Sequence, residues 1–133
     1  MNRSKLFLAL TFGALFFVSC SNDDEPTPEV PLGNYDNGVL VLNQGGFGHG
    51  DASVSYISSD FSVQQNDIFS IVNPTILLGD TGQDMGLKDE KAYIVLNVSN
   101  KIQIVNRYTM QNITSITEGL KNPRYIAFAN GKA

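Results

Sequence analysis

A glycine-rich stretch at residues 45–51 carries the side chains best suited to contact a ligand. Its four glycines permit backbone angles that other residues avoid, and they let a ligand approach the chain closely. Phe47 offers an apolar surface, His49 a ring nitrogen and Asp51 a carboxylate. We call this stretch the glycine loop and predict that it takes part in binding. The alternative is a plain, flexible connection between two strands.

The same residue types argue against several kinds of chemistry. A phosphate-binding glycine loop needs a helix after it, whose N-terminus meets the anion, and here a strand pattern follows. The chain has one histidine and one cysteine, no nucleophile elbow and no cluster with metal-ligand spacing. Asp80 and Asp84 lie close in sequence, but nothing marks them as an acid/base pair rather than loop caps. We therefore predict a protein that is not an enzyme and has no metal site and no cofactor.

Apolar patterns on both sides of the glycine loop predict strands. Residues 39–42 form a continuous apolar run, and residues 53–57 and 101–105 alternate with period two. The more polar segments 62–71 and 109–117 suit outer strands, where polar residues discourage edge pairing. No stretch of about ten or more residues in this part has helical periodicity. The sequence therefore predicts an all-β fold.

A weak internal repeat indicates how the strands are arranged. Residues 126–133 align with residues 85–92 at an offset of 41 residues, and a spacing of about 40–45 residues is typical of a propeller blade. We predict the N-terminal part of a β-propeller, with about two blades of four antiparallel strands. The first blade lacks a first strand, and the chain stops at the start of a third. We therefore expect a longer protein that closes the ring.

Blade topology predicts which loops share one end of the sheets. The connection between the second and third strands and the connection into the next blade emerge at the same end, so loops 45–51, 73–84, 98–100 and 118–124 should meet there. Their mixture of apolar and polar side chains suits an amphipathic ligand. The predicted ligand-binding residues are Phe47, His49, Asp51, Asp84, Asn122, Arg124 and Tyr125. For Arg124 the alternative is a solvated charge.

The N-terminus has the pattern of an export signal. Arg3 and Lys5 precede an apolar run of 13 residues at 6–18, which is shorter than the roughly 20 residues that span a membrane. Cys20 follows this run after one small residue, and the arrangement resembles the lipobox of bacterial lipoproteins, whose cysteine is acylated and becomes the mature N-terminus. We predict a lipoprotein signal peptide at residues 1–19 and a lipid anchor at Cys20. A buried free cysteine is the alternative.

An acidic and proline-rich segment follows the cysteine. We predict that residues 20–37 form an extended tether and that residues 38–133 form the incomplete propeller. The acidic run at residues 23–25 resembles the signal that exports some Gram-negative lipoproteins to the cell surface, and a solvated linker is the alternative. From Cys20 onward the chain has seven basic and 13 acidic residues. This charge argues against nucleic acid as a partner.

Three motifs, at residues 43–48, 52–56 and 92–97, carry a resemblance to the YncE-like, surface-layer-type propeller lipoproteins of Gram-negative anaerobes. The resemblance spans about residues 38–133. Members of this group include surface proteins that capture cobalamin and related corrinoids and pass them to a TonB-dependent outer-membrane transporter.

The resemblance implies a surface-exposed lipoprotein of the outer membrane that captures a small nutrient. A corrinoid is the favoured ligand, and a TonB-dependent transporter is the implied partner. His49 could coordinate the cobalt of a corrinoid, although a lone histidine in a glycine loop is more often a plain polar residue. Because a fold does not fix a function, the alternative is a structural or protein-interaction propeller at the cell surface without a small ligand.

Overall fold

The computed structural model describes residues 30–132 and shows two antiparallel sheets. The first sheet has the order β1-β2-β3, with β1 at Gly38–Asn43, β2 at Ser53–Ser58 and β3 at Gln64–Gln65. The second has the order β4-β5-β6-β7, with β4 at Gly82–Lys88, β5 at Lys91–Leu96, β6 at Lys101–Asn106 and β7 at Asn112–Ile116. A short helix, α1 at Ile68–Val72, lies between β3 and β4. This architecture confirms the all-β prediction and is compatible with partial propeller blades.

The predicted signal peptide, the acylated Cys20 and the first part of the predicted tether lie outside the described residues.

The apolar core lies between the two sheets. Leu40 and Tyr56 pair across β1 and β2, so their side chains point to the same face of the first sheet. The second sheet presents to this core the alternate residues of β5, namely Ala92, Ile94 and Leu96, which are fully buried. Burying an isoleucine or leucine side chain, as at Ile94 and Leu96, stabilises a fold by about 1.5–3 kcal/mol. Because side chains alternate along a strand, these three residues point to one face of β5, and that face packs against the first sheet.

Residues 62–71, which we predict as an outer strand, fold differently. Only Gln64 and Gln65 pair with β2, and the chain then turns into α1. The helix buries both Ile68 and Phe69 completely. A strand would point these neighbours to opposite faces, and at the edge of a sheet one of them would remain exposed. The strand prediction is therefore wrong for most of this segment, because two consecutive apolar side chains had to reach the same core.

Asn73 fastens the end of α1 to the second sheet. Its side-chain amide donates hydrogen bonds to the carbonyls of Phe69 at 2.9 Å and Met110 at 3.0 Å. Its side-chain oxygen accepts a hydrogen bond from the N–H of Asn112 at 2.9 Å. Asn73 is buried, and these three bonds supply the partners that a buried amide requires.

Residues 30–37, which the tether prediction includes, run along one end of the sheets. Tyr35 is buried, and its N–H donates to the carbonyl of Tyr108 at 2.9 Å. Its ring meets the ring of Tyr56 edge-on, with 5.4 Å between centroids. The Tyr56 hydroxyl donates to the carbonyl of Asp36 at 2.6 Å. The chain therefore joins the sheets at the end where β1 begins, and its last residues before β1 are part of the packed structure.

Residues 126–132 pack on the face of the second sheet that points away from the first. The ring of Phe128 meets Tyr93 edge-on, with 5.1 Å between centroids, and Tyr93 alternates with the core-facing residues of β5. Ala129 and Lys132 form an isolated antiparallel bridge, at the position that the internal repeat aligns with the β4–β5 turn, where Lys88 pairs with Lys91. Residues 126–132 therefore pack on the second sheet from the side opposite the first sheet, so the first sheet, the second sheet and this segment follow one another in chain order.

The turn between β2 and β3 is held by Asp60. Its carboxylate accepts hydrogen bonds from the hydroxyl of Ser58 at 2.6 Å, and from the hydroxyl and N–H of Ser62 at 2.9 and 3.1 Å. These bonds favour the charged form. The hydroxyl of Ser58, followed by the two donors of Ser62, lowers the pKa of Asp60 from 3.8 to about 2.

We expect an NMR titration of the Asp60 carboxyl to show a midpoint near 2 in the folded protein. Because folding lowers this pKa, the contribution of the turn to stability is fully present above the unfolded value of 3.8 and disappears as the pH falls through about 2. Ser58→Ala should raise the midpoint, whereas Ser70→Ala, which removes a donor to Asp67, should leave it unchanged. An Asp60 midpoint near 3.8 in the unaltered protein would contradict the hydrogen-bond geometry.

Candidate functional site

Four loops meet at the end of the sheets where β1 and β5 finish. We call this end the loop rim. It consists of the connections at residues 44–52, 97–100 and 117–125 and of the two ends of the connection at residues 66–81, whose middle reaches away from the rim where Asn73 bonds to Met110. The N-terminal segment and the β2–β3 turn lie at the other end, because β1 runs toward the loop rim and β2 runs away from it.

Hydrogen bonds between neighbouring loops hold the loop rim together. The N–H of Gly48 in the glycine loop donates to the carboxylate of Asp80 at 3.2 Å. The N–H of Asp80 donates to the hydroxyl of Ser99 at 2.8 Å. The N–H of Asn122 donates to the side-chain oxygen of Asn100 at 2.7 Å. The four loops therefore form one connected surface, as the blade topology predicts.

Asp80 is the central residue of this network. It is buried, and besides Gly48 its carboxylate accepts a hydrogen bond from the Thr81 hydroxyl at 2.8 Å. A buried carboxylate needs such donors because burial removes its water. In the sequence nothing marks Asp80 as part of an acid/base pair rather than a loop cap, and in the structure Asp80 joins three loops through its bonds to Gly48 and Ser99.

The glycine loop is ordered by its own contacts. The carboxylate of Asp51 accepts a hydrogen bond from the N–H of Gly46 at 2.7 Å, and the N–H of His49 donates to the carbonyl of Gly46 at 3.0 Å. Gly45 has a φ of +75°, and a side chain there would collide with the Asp51 carboxylate. Asp51 also forms a bridge with Gly79. One oxygen of Asp51 is therefore used to shape the loop.

The predicted aromatic residues of the loop rim point into solvent. Phe47 and Tyr125 expose 77% and 79% of their surface. His49, Asn122 and Arg124 are also exposed. These five side chains are available to a ligand or a partner. Within the rim they belong to two groups, the glycine loop and residues 122–125, which connect through the loops that carry Asp80 and Asn100.

Asp84 has a structural role. It lies in β4 and is half-buried. One carboxylate oxygen accepts from the N–H of Met85 and the other from the N–H of Ile126, both at 2.9 Å. Asp84 therefore ties residues 126–132 to the second sheet, and both of its oxygens already have partners.

A cavity of about 460 Å³ opens beside the glycine loop. Its polar wall includes an amide of Asn43 that donates to the hydroxyls of Ser53 and Ser55, at 3.1 and 2.9 Å, and a Ser55 hydroxyl that donates to Asn66 at 3.1 Å. Asp51 is the one predicted binding residue that lines it.

Sequence reasoning missed the rest of this cavity. The period-two spacing of Ser53 and Ser55 gives the signal that both face one side. Asn66 and Asp67 could not be placed there, because their segment was predicted as a strand.

A second cavity, of about 300 Å³, lies at the opposite end between the two sheets. Tyr35, Leu87, Arg107 and Tyr108 line it, and the guanidinium of Arg107 lies 4.6 Å from the ring centroid of Tyr108. It contains none of the residues that the sequence predicted for binding.

The loop rim carries charges of both signs. Its acidic residues include Asp51, Asp80 and Glu118, and its basic residues include Lys121 and Arg124. Below them, Lys101 donates to the carbonyl of Leu77 at 3.0 Å, and burial lowers the pKa of Lys101.

Among residues 30–132, no group of three or more His, Cys, Asp or Glu side chains is placed to hold a metal ion. No helix in this part of the chain is long and apolar enough to cross a membrane.

Two stacked antiparallel sheets with one connected loop rim define an all-β protein whose arrangement is compatible with propeller blades. A model of a protein family described as a domain of unknown function, DUF5074, matches residues 37–132, which include both sheets and the whole loop rim. The chain belongs to this family. A search of curated proteins finds no match.

Proposed function

We propose that this protein is a cell-surface lipoprotein that captures a small nutrient on its loop rim. The observation that carries the proposal is the convergence of four hydrogen-bonded loops, which together expose two aromatic side chains, Phe47 and Tyr125, by more than three quarters. Exposed aromatic residues on an ordered surface contribute large contact areas at low conformational cost. The proposal includes no catalytic step.

A corrinoid is the favoured ligand. It combines an apolar macrocycle with peripheral amides, and the loop rim offers matching chemistry. Phe47 and Tyr125 would cover apolar parts of the ring, while Asn122 and Arg124 would hydrogen-bond amide oxygens. His49 is exposed beside Phe47 and provides a ring nitrogen. The resemblance to surface propeller lipoproteins supports this choice of ligand and a TonB-dependent outer-membrane transporter as the receiver.

The direction of the chain supports capture from outside the cell. The N-terminal segment joins the sheets at the end opposite the loop rim. A lipid anchor at Cys20, in the outer leaflet of the outer membrane, would tether that end through a proline-rich segment that spans about 3 Å per residue. The loop rim would then face away from the membrane, where a dilute nutrient arrives.

We expect calorimetric titration of cyanocobalamin into the full-length protein to show binding at micromolar concentrations. The double substitution Phe47→Ala and His49→Ala should weaken binding at least about tenfold, because it removes an aromatic contact and a ring nitrogen. Phe61→Ala, which removes an equally exposed aromatic ring at the opposite end, is the matched control and should leave the affinity unchanged.

Two outcomes of this titration would contradict parts of the proposal. Absence of binding at micromolar concentrations would reject the corrinoid. Equal affinities of the double variant and the unaltered protein would remove the glycine loop from the binding site.

The second candidate is a structural or protein-interaction protein at the cell surface. Leu77 on the loop rim exposes 82% of its surface, more than either aromatic neighbour. Exposed apolar side chains surrounded by polar residues are typical of protein-interaction sites. Failure of the titration would favour this function.

A further inference from the structure

The tip of the β2–β3 turn combines two unfavourable features in one residue. Phe61 exposes 81% of its surface, and its backbone has a positive φ of 60°. A bulky residue in the left-handed region is uncommon, and such outliers persist where the surrounding structure imposes them. Here the Asp60 carboxylate and the bond from the Phe61 N–H to the carbonyl of Ser58, at 3.0 Å, impose the conformation. The turn therefore holds an aromatic ring out into solvent.

This tip lies beside the N-terminal segment. The N–H of Ser59 donates to the carbonyl of Asn37 at 2.9 Å. The N–H of Leu32 donates to the carboxylate of Asp36 at 2.8 Å, which folds residues 32–36 into a compact turn. Val30 and Leu32 expose 85% and 60% of their surface. Three exposed apolar side chains are thus presented at the end where the chain leaves toward Cys20.

We propose that this end of the domain, with Phe61 at its tip, contacts the lipid surface to which the chain is tethered. The proposal rests on the lipid anchor at Cys20, which belongs to the proposed function. It goes further by assigning a second membrane contact, made by the folded domain itself and separate from the ligand-binding loop rim.

The length of the tether limits what can cover this end. Val30 follows Cys20 by ten positions, and an extended chain spans at most about 3.5 Å per residue. Val30, where the described chain begins at this end of the domain, is therefore held within about 35 Å of Cys20.

The chemistry of the tip suits the headgroup region of a bilayer. Phenylalanine and aliphatic side chains insert at the boundary between headgroups and acyl chains. The hydroxyls and backbone around Asp60 can remain hydrated there. The Asp60 carboxylate stays charged, and three hydrogen bonds from its neighbours stabilise that charge at the hydrated base of the tip.

Residues 1–133 contain no tryptophan, so a single substitution in this chain creates a unique fluorescent probe. We expect the lipidated Phe61→Trp variant of this 133-residue chain, reconstituted in phosphatidylcholine vesicles with brominated acyl chains, to lose a large part of its emission relative to vesicles without bromine. The matched control is Phe47→Trp, which replaces an equally exposed phenylalanine on the loop rim. Its emission should be the same in both kinds of vesicle. Because Phe61 is exposed, this substitution removes no core packing, and near-native circular dichroism will verify the fold.

The possible results separate the anchor from the contact. Quenching of Phe61→Trp alone supports the proposal. Flotation with vesicles but equal emission in both lipids overturns the contact while leaving the anchor intact, and this result would favour a protein partner at the tip. Loss of flotation in the unaltered protein overturns both the anchor and the contact. Equal quenching of both variants also overturns the proposal, because it shows that the domain has no fixed orientation.

Discussion

Phe69→Ala should lower the free energy of unfolding by about 4 kcal/mol, which is the range expected for truncating a buried phenylalanine. Phe69 is fully buried in α1 and belongs to the core between the sheets. The substitution removes the apolar surface of the ring and leaves a cavity, because α1 is held in place at its end by Asn73. Helix and sheets cannot close around the vacancy without breaking those hydrogen bonds.

Urea denaturation followed by circular dichroism measures this effect. Phe61→Ala is the control, since it removes the same ring from an exposed position and should change stability by less than about 0.5 kcal/mol. A similar loss in both variants would contradict the core assignment of α1. So would a loss of less than about 1 kcal/mol for Phe69→Ala.

The strands of the second sheet could be predicted because local and tertiary requirements agree there. In β5 the alternate residues Ala92, Ile94 and Leu96 face the first sheet, while Tyr93 faces residues 126–132. Both faces are covered, so the continuous apolar run indicates a strand between two packed layers. The polar segment before residue 117 became β7, since an outer strand needs only one pairing edge.

The segment after β2 could not be predicted in the same way. Its helix has five residues, which is too short for a periodic pattern to be recognised. The helix forms because Ile68 and Phe69 both reach the core. It is also held by Asn73, which hydrogen-bonds to Met110 and Asn112, 37 and 39 residues further along the chain. Such long-range partners leave no local signal. The cavity residue Asn66 was missed for the same reason.

The loop rim shows how far topology alone can predict a site. Strand order correctly brings the glycine loop near the loops at residues 66–81 and 97–100. It does not tell which side chains remain available for a ligand. Asp51 and Asp84 look like binding carboxylates in the sequence, yet one oxygen of Asp51 and both oxygens of Asp84 accept backbone N–H groups in the structure. Phe47 and Tyr125 remain exposed, so the aromatic residues are the better candidates for ligand contact.

Asp80→Ala should destabilise the protein by about 2–3 kcal/mol, because it leaves the N–H of Gly48 and the hydroxyl of Thr81 without their charged acceptor. It should also remove the hydrogen bond that joins the glycine loop to the connection at residues 66–81. Hydrogen exchange at the Gly48 amide should therefore become faster, and ligand affinity should fall although Asp80 is buried beneath the contact surface.

Asp80→Asn distinguishes this positioning role from a simple loss of packing. Its side-chain oxygen can still accept from Gly48, so exchange at that amide should stay closer to that of the unaltered protein. Asp67→Ala provides a control on the same connection, because Asp67 is exposed and bonds to Ser70 within its own segment. Unchanged exchange at Gly48 in Asp80→Ala would show that the glycine loop is ordered by Asp51 alone. The loops would then bind a ligand independently of one another, and their convergence at one rim would no longer support a common site.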